Sequence, residues 1–67
     1  MKDKSDFIIL ETLADVINQA CLQDDNETLD SMAISAYADG LRVLADFNRV
    51  EIIKKVGRRV IAKWKKS

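Results

Sequence analysis

The 67-residue sequence predicts an α+β fold, a two-helix hairpin packed on a C-terminal two-stranded β-hairpin. Three observations carry that expectation. Apolar residues recur at spacings of three and four from Asp6 to Leu22 and again from Glu27 to Asn48, the period of a helix with one buried face. From Val50 onward the apolar residues are mostly β-branched (Val50, Ile52, Ile53, Val56, Val60, Ile61), which favours pleated structure. Gly57 divides that stretch where a hairpin has to turn. The length allows one small domain over residues 1–67, with 1–4 and 65–67 expected to fray.

Each element follows in chain order. Ser5 is a good N-cap for the first helix, and Asp6 places an acid in the first turn, where the helix dipole favours it. Leu10, Leu13, Ala14, Ile17 and Cys21 share one face, which Phe7, Ile9, Val16 and Ala20 widen until it needs cover from more than one side. In the Asp24-Asp25-Asn26-Glu27 run, Asp24, Asn26 and Asp30 supply oxygens as a calcium loop would, but the glycine of the sharp turn is missing. Asp24 with Glu27 three residues on reads instead as a capping-box start for the second helix, about Glu27 to Asn48.

That second helix carries Leu29, Met32, Ala33, Ala36, Gly40, Val43, Leu44 and Phe47 on its apolar stripe. Gly40 costs about 1 kcal/mol relative to Ala in a helix interior. With Ala33 and Ala36 it lets the first helix approach closely; alternatively it marks a break between two shorter helices. In the hairpin, a three-residue turn at Lys55-Val56-Gly57 puts Gly57 at positive φ. It pairs Ile52 with Val60 and Val50 with Ala62, with Trp64 on the same face. Arg49, Glu51, Ile53, Arg59, Ile61 and Lys63 then form a wet opposite face. A single helix over 50–64 is the competing reading, because Val50, Ile53, Val60, Ile61 and Trp64 also fit helical spacing.

Eleven Lys and Arg balance eleven Asp and Glu, but the charges are segregated. Met1 to Asn48 holds three bases and ten acids, a net of −7; Arg49 to Ser67 holds eight bases and one acid, a net of +7. Such asymmetry suits a polyanion, an acidic partner, or neutralisation of one half by the other. With no His and one Cys, the chain excludes an intrachain Cys/His zinc site and His-based nucleophilic catalysis. An unpaired Cys also excludes an intrachain disulfide and suits a reducing, cytoplasmic compartment. Cys21 on an apolar helix face reads as a small buried hydrophobe, and Gly40 and Gly57 are too isolated for a phosphate loop. The chain is therefore expected to be non-enzymatic, with no catalytic or metal-ligating residues, no cofactor and no evident small-molecule substrate. Glu11, Asp15, Asn18 and Gln19 interrupt the apolar stretch Phe7–Leu22, so no membrane partner is expected.

The stretch Leu41-Arg42-Val43-Leu44-Ala45-Asp46-Phe47-Asn48-Arg49-Val50, followed by Gly57-Arg58-Arg59-Val60, resembles winged-helix transcription regulators of the arsenical-repressor type. It is similar to the end of their recognition helix and their wing, over residues 41–64. The resemblance implies that Leu41 and Leu44 are buried helix positions. It also implies that Asn48 takes the place usually held by Gly, where Asn tolerates a left-handed cap. Upstream, that family has a short apolar helix and a tight turn, where this sequence offers the mostly polar Asp24–Ser31. The fold is winged-helix-like at most. No metal-sensing ligand set of the family is matched.

A nucleic-acid-binding accessory or regulatory factor follows as one expectation, with Lys54, Lys55, Arg58, Arg59, Lys63, Lys65, Lys66 and Arg42 as its phosphate contacts. In this reading Trp64 serves as an apolar anchor or stacking surface; exposed hairpins also carry Lys and Arg merely to block edge pairing, with Trp64 then in the core. The alternative is a self-associating interaction module (adaptor, inhibitor or scaffold). A chain this short buries only about 60% of its unfolded surface, and 48% of its residues are hydrophobic, so a homodimer is expected.

Overall fold

The computed structural model describes residues 4–66. The chain runs α1 (Lys4–Cys21), β1 (Thr28–Asp30), α2 (Ser35–Asp46), β2 (Val50–Val56) and β3 (Arg59–Trp64). The three strands form one antiparallel sheet in the order β1-β3-β2. Both helices lie on one face of it, as the α+β expectation requires. Leu10, Ile17 and Cys21 of α1 and Ala38, Leu41 and Leu44 of α2 meet Leu29, Val50, Val60 and Ala62 of the sheet in a single core. The helices touch directly at Gly40, inside α2 rather than at a break. A Cβ there would sit 3.0 Å from Ile17 Cδ1 and 3.2 Å from Leu13 Cδ1, so the missing side chain sets how closely α1 and α2 approach.

The structure corrects the expected second helix. Residues 28–30 form a strand, and helical backbone begins only at Ser35. Hydrogen bonds explain the difference. Asp25 Oδ1 accepts from the backbone N–H groups of Glu27 and Thr28, at 3.0 and 2.8 Å, and Oδ2 accepts from the Thr28 hydroxyl at 2.5 Å. Asp25, not Asp24, is therefore the local acceptor, and with Asn26 at φ 62° it closes a turn rather than opening a helix. Leu29 then pairs with Ala62, and Ser31 extends the ladder: its N–H donates to the Val60 carbonyl, and its Oγ accepts from the Val60 N–H at 2.9 Å. Met32 and Ala33 follow in left-handed backbone, at φ 53° and 66°. That costly conformation is held by the Asp30 carboxylate accepting from Met32 N–H and the Ser31 carbonyl accepting from Ile34 N–H.

Two smaller corrections concern helix ends. α1 already includes Lys4, one residue before the expected cap position. Expected fraying at residues 1–3 and 67 lies outside the described residues, while Lys65 N–H donates to the Arg49 carbonyl. At the end of α2, Asn48 adopts φ 61°. Its N–H donates to Ala45 O and that of Arg49 to Leu44 O, at 3.0 and 2.8 Å, the paired bonds of a Schellman cap.

Residues 50–64 form the hairpin and not the competing helix. Val56 pairs with Arg59, so the turn is the two residues Gly57-Arg58 rather than the expected three. Gly57 does sit at positive φ, 60°, while Arg58 does not, the pattern of a type II′ turn. Ile52 pairs with Ala62 and Val50 with Trp64, a register two residues away from the expected one. An even shift leaves Val50 to Ile52 and the residues of β3 on their expected faces. The odd step falls at a bulge between Ile52 and Lys54.

Candidate nucleic-acid interface

Ser35, Asp39 and Arg42 stand three and four residues apart on α2, which aligns them on its exposed face. The hairpin turn comes up beside that face. Ser35, Ala38, Asp39, Arg42, Gly57 and Arg58 line an open cleft of about 230 Å³ between helix and turn. The hairpin end extends past the core, since residues 53–59 are all exposed. Lys55 lies opposite buried Val60 and so points to the helix side of the sheet; Lys54 lies opposite Ile61 and points to the other side. Four expected site residues thus gather at one end of the molecule: Arg42, Lys54, Lys55 and Arg58. None has a carboxylate partner among the described residues.

The other four expected positions do not join them. Arg59 makes a two-pronged ion pair with Asp30, its Nε donating to Oδ1 at 2.7 Å and its Nη2 to Oδ2. Asp30 is 6% exposed, so this guanidinium is spent on the turn that starts α2. Lys63 sits between Glu51 and Thr28 on the outer sheet face, near Asp25. Lys65 Nζ lies 3.5 Å from Asn48 Oδ1, and Lys66 follows beyond β3, at the opposite end of the hairpin from its turn. Trp64 is half-buried and donates its Nε1–H to Asn18 Oδ1 at 3.0 Å, fastening α1 to β3. Ser35 and Asp39 are cleft residues not among the expected contacts; their spacing from Arg42 was the available signal. The segregated charges partly meet within the chain, through Arg59–Asp30 and through Arg49–Glu11 at 2.5 Å.

These contacts shift ionisation. Asp25 is held down at about 2, first by the Thr28 hydroxyl and then by the Glu27 and Thr28 N–H groups. Asp30 is also lowered, chiefly by its Arg59 hydrogen bond, which in turn raises the guanidinium. Burial, then the Asp30 charge, pushes the Cys21 thiol up. A carboxylate depressed on folding stabilises the folded state above its unfolded value of about 3.9, and that contribution disappears as pH falls through the folded value. Urea unfolding midpoints should therefore fall between about pH 4 and 2, and Asp25→Asn should flatten that fall.

No cluster of three or more His, Cys, Asp or Glu suited to a metal occurs among the described residues. No helix among them is long and apolar enough to cross a membrane. An uncharacterized protein of Methanocaldococcus jannaschii is 36% identical over 63 residues, 94% of this chain. The chain spans 42% of that relative's length, so the similarity covers helices and hairpin together within a longer polypeptide. No family model matches the sequence, and no solved structure matches it.

Proposed function

We propose that the protein binds nucleic acid through the end of the molecule where α2 meets the hairpin turn, as a non-enzymatic accessory or regulatory factor of the cytoplasm. The observation that carries this is the meeting of Arg42 and Arg58, distant in sequence, on one open cleft, with Lys55 on the same side of the hairpin and Lys54 on the other. Four cations without carboxylate partners among the described residues, three on the projecting hairpin and one on α2, suit a phosphate backbone, which attracts charge irrespective of sequence. The winged-helix resemblance is supported by buried Leu41 and Leu44, by left-handed Asn48 and by the hairpin that follows. One part of that family's pattern has no counterpart here. β1 leads through Ser31–Ile34 straight into α2, so a single helix, and not a helix-turn-helix pair, faces the ligand. Arg42 is the one long cationic side chain on the exposed face of α2, so contact is mainly to phosphates and sequence preference is weak. Anisotropy titration of a short DNA duplex across a salt series tests this. Binding that weakens steeply with salt, and weakens further in Arg42→Ala/Arg58→Ala, supports it. Undetectable binding at low salt, or an unaffected double variant, refutes it.

Self-association is a second reading, favoured by one observation: Ile9, Val16 and Val43 are 65%, 47% and 40% exposed.

A further inference from the structure

The outward flank of α1 and the adjoining flank of α2 form a continuous apolar surface. Ile9, Leu13 and Val16 stand four and three residues apart along α1, and Val43 and Phe47 stand four apart along α2. Between them runs a groove of about 130 Å³ lined by Ile9, Leu10, Leu13, Val43 and Phe47. Exposed Ala20 and Ala36 continue the two rows without adding a polar atom. We infer that this face is covered by a second copy of the same chain, in a two-fold dimer that packs α1 of each copy on α2 of the other. This builds on the self-association reading by naming its surface and its arrangement.

Area and charge both select that occupant. The exposed fractions of these side chains leave an apolar surface on the order of 400 Å², within the range of patches that mark interaction sites. A standard interface buries about 800 Å² per partner, and homodimer interfaces are about 65% apolar, so this face supplies most of the apolar share. The two rims of the groove differ. Exposed Asp39 and Asp46 border Val43 on α2, whereas exposed Thr12 and Gln19 border Val16 on α1. A dimer that set α2 on α2 would bring acids against acids. Packing α1 on the partner's α2 places Asp39 and Asp46 against Thr12 and Gln19 instead, with Asp15, which accepts from the Gln19 amide, the one acid of α1 beside that rim. Asp39 borders both surfaces, while Arg42 and Arg58 lie beyond it on the hairpin side, so the cationic side of the cleft stays free in each copy.

Sedimentation equilibrium of the full chain from roughly 10 µM to 1 mM tests the proposal, a span that brackets the affinities expected for an interface of this kind. The mass should rise toward twice that of the chain, and Ile9→Glu/Val43→Glu should remain monomeric with unchanged circular dichroism. Both positions are exposed, so the charges do not enter the core. Val16→Glu gives an independent check on the α1 row. If the double variant and Val16→Glu both still dimerise, another face is used: this surface is wrong, while self-association stands. A wild-type chain that stays monomeric throughout overturns both. Ile53→Glu, on the exposed bulge of β2, should leave the dimer intact; loss of the dimer there would overturn the groove assignment.

Discussion

Replacing Arg42, Lys54, Lys55 and Arg58 together with Ala should remove nearly all salt-sensitive DNA binding. If each neutralises one phosphate, the slope of log affinity against log salt is about −0.9 per contact, or about −3.6 for the four. Wild-type binding should then weaken by roughly 150-fold between 50 and 200 mM salt, and the quadruple variant should show almost no such dependence. All four side chains are exposed and make no ion pair among the described residues, so the variant should fold normally. Arg59→Ala should behave differently. Its guanidinium serves Asp30, so its loss should lower stability while leaving the slope close to the wild-type value. Asp39→Asn, which removes an acid from the cleft, should tighten binding. The controls matter because Arg58 and Arg59 are neighbours in sequence but have separate roles in the fold.

Leu41→Ala should be the most damaging single truncation in the core. Leu41 is fully buried at the centre of α2, where that helix contacts both α1 and the sheet. Removing a buried leucine costs about 2–5 kcal/mol, and a chain of this length has a total stability on the order of 3–10 kcal/mol. The melting temperature should fall by at least about 8 °C, at roughly 4–8 °C per kcal/mol for a small domain. Val43→Ala, two residues away on the exposed flank, should change the monomer's stability by no more than about 0.5 kcal/mol. The comparison requires matched protein concentration, since a dimer makes the apparent stability concentration-dependent.

Local patterns were legible in the sequence where one residue type meets one backbone requirement. Asn48 and Gly57 sit at positive φ as their chemistry suggests, and period-two alternation sorted Val50, Val60, Ala62 and Trp64 from Glu51, Arg59 and Lys63. What was not legible depends on contacts distant in sequence. β1 is three residues long, too short to display a period, and it exists because Leu29 and Ser31 pair with Ala62 and Val60 of β3. Glu27 to Ala33 fits a helical stripe equally well until those pairings compete for its backbone. Of the two adjacent acids, only Asp25 has the geometry to accept from Thr28.

The site follows the same rule. Composition located the basic segment but could not divide it. A three-residue loop at 55–57 would put both Arg58 and Arg59 in the strand, whereas the two-residue turn holds Arg58 and leaves Arg59 as the first residue of β3. Pairing β3 with β1 brings Arg59 to Asp30, while the II′ turn leaves Arg58 beside Arg42. The charge segregation at Asn48 therefore has two components. Arg49 and Arg59 meet acids of the first half within the chain, and the cations at the end of the hairpin do not.

The central claim is that this end of the molecule, and not the basic residues near the chain terminus, meets nucleic acid. The most direct measurement is the change in backbone amide NMR shifts as a short duplex is titrated into the labelled 67-residue chain at low salt. The proposed interface predicts shifts concentrated at Ser35, Asp39, Arg42 and residues 54–58, with Ile9, Leu13 and Val16 unmoved. Shifts confined to Lys63, Lys65 and Lys66, or no shifts at any duplex concentration, would contradict it.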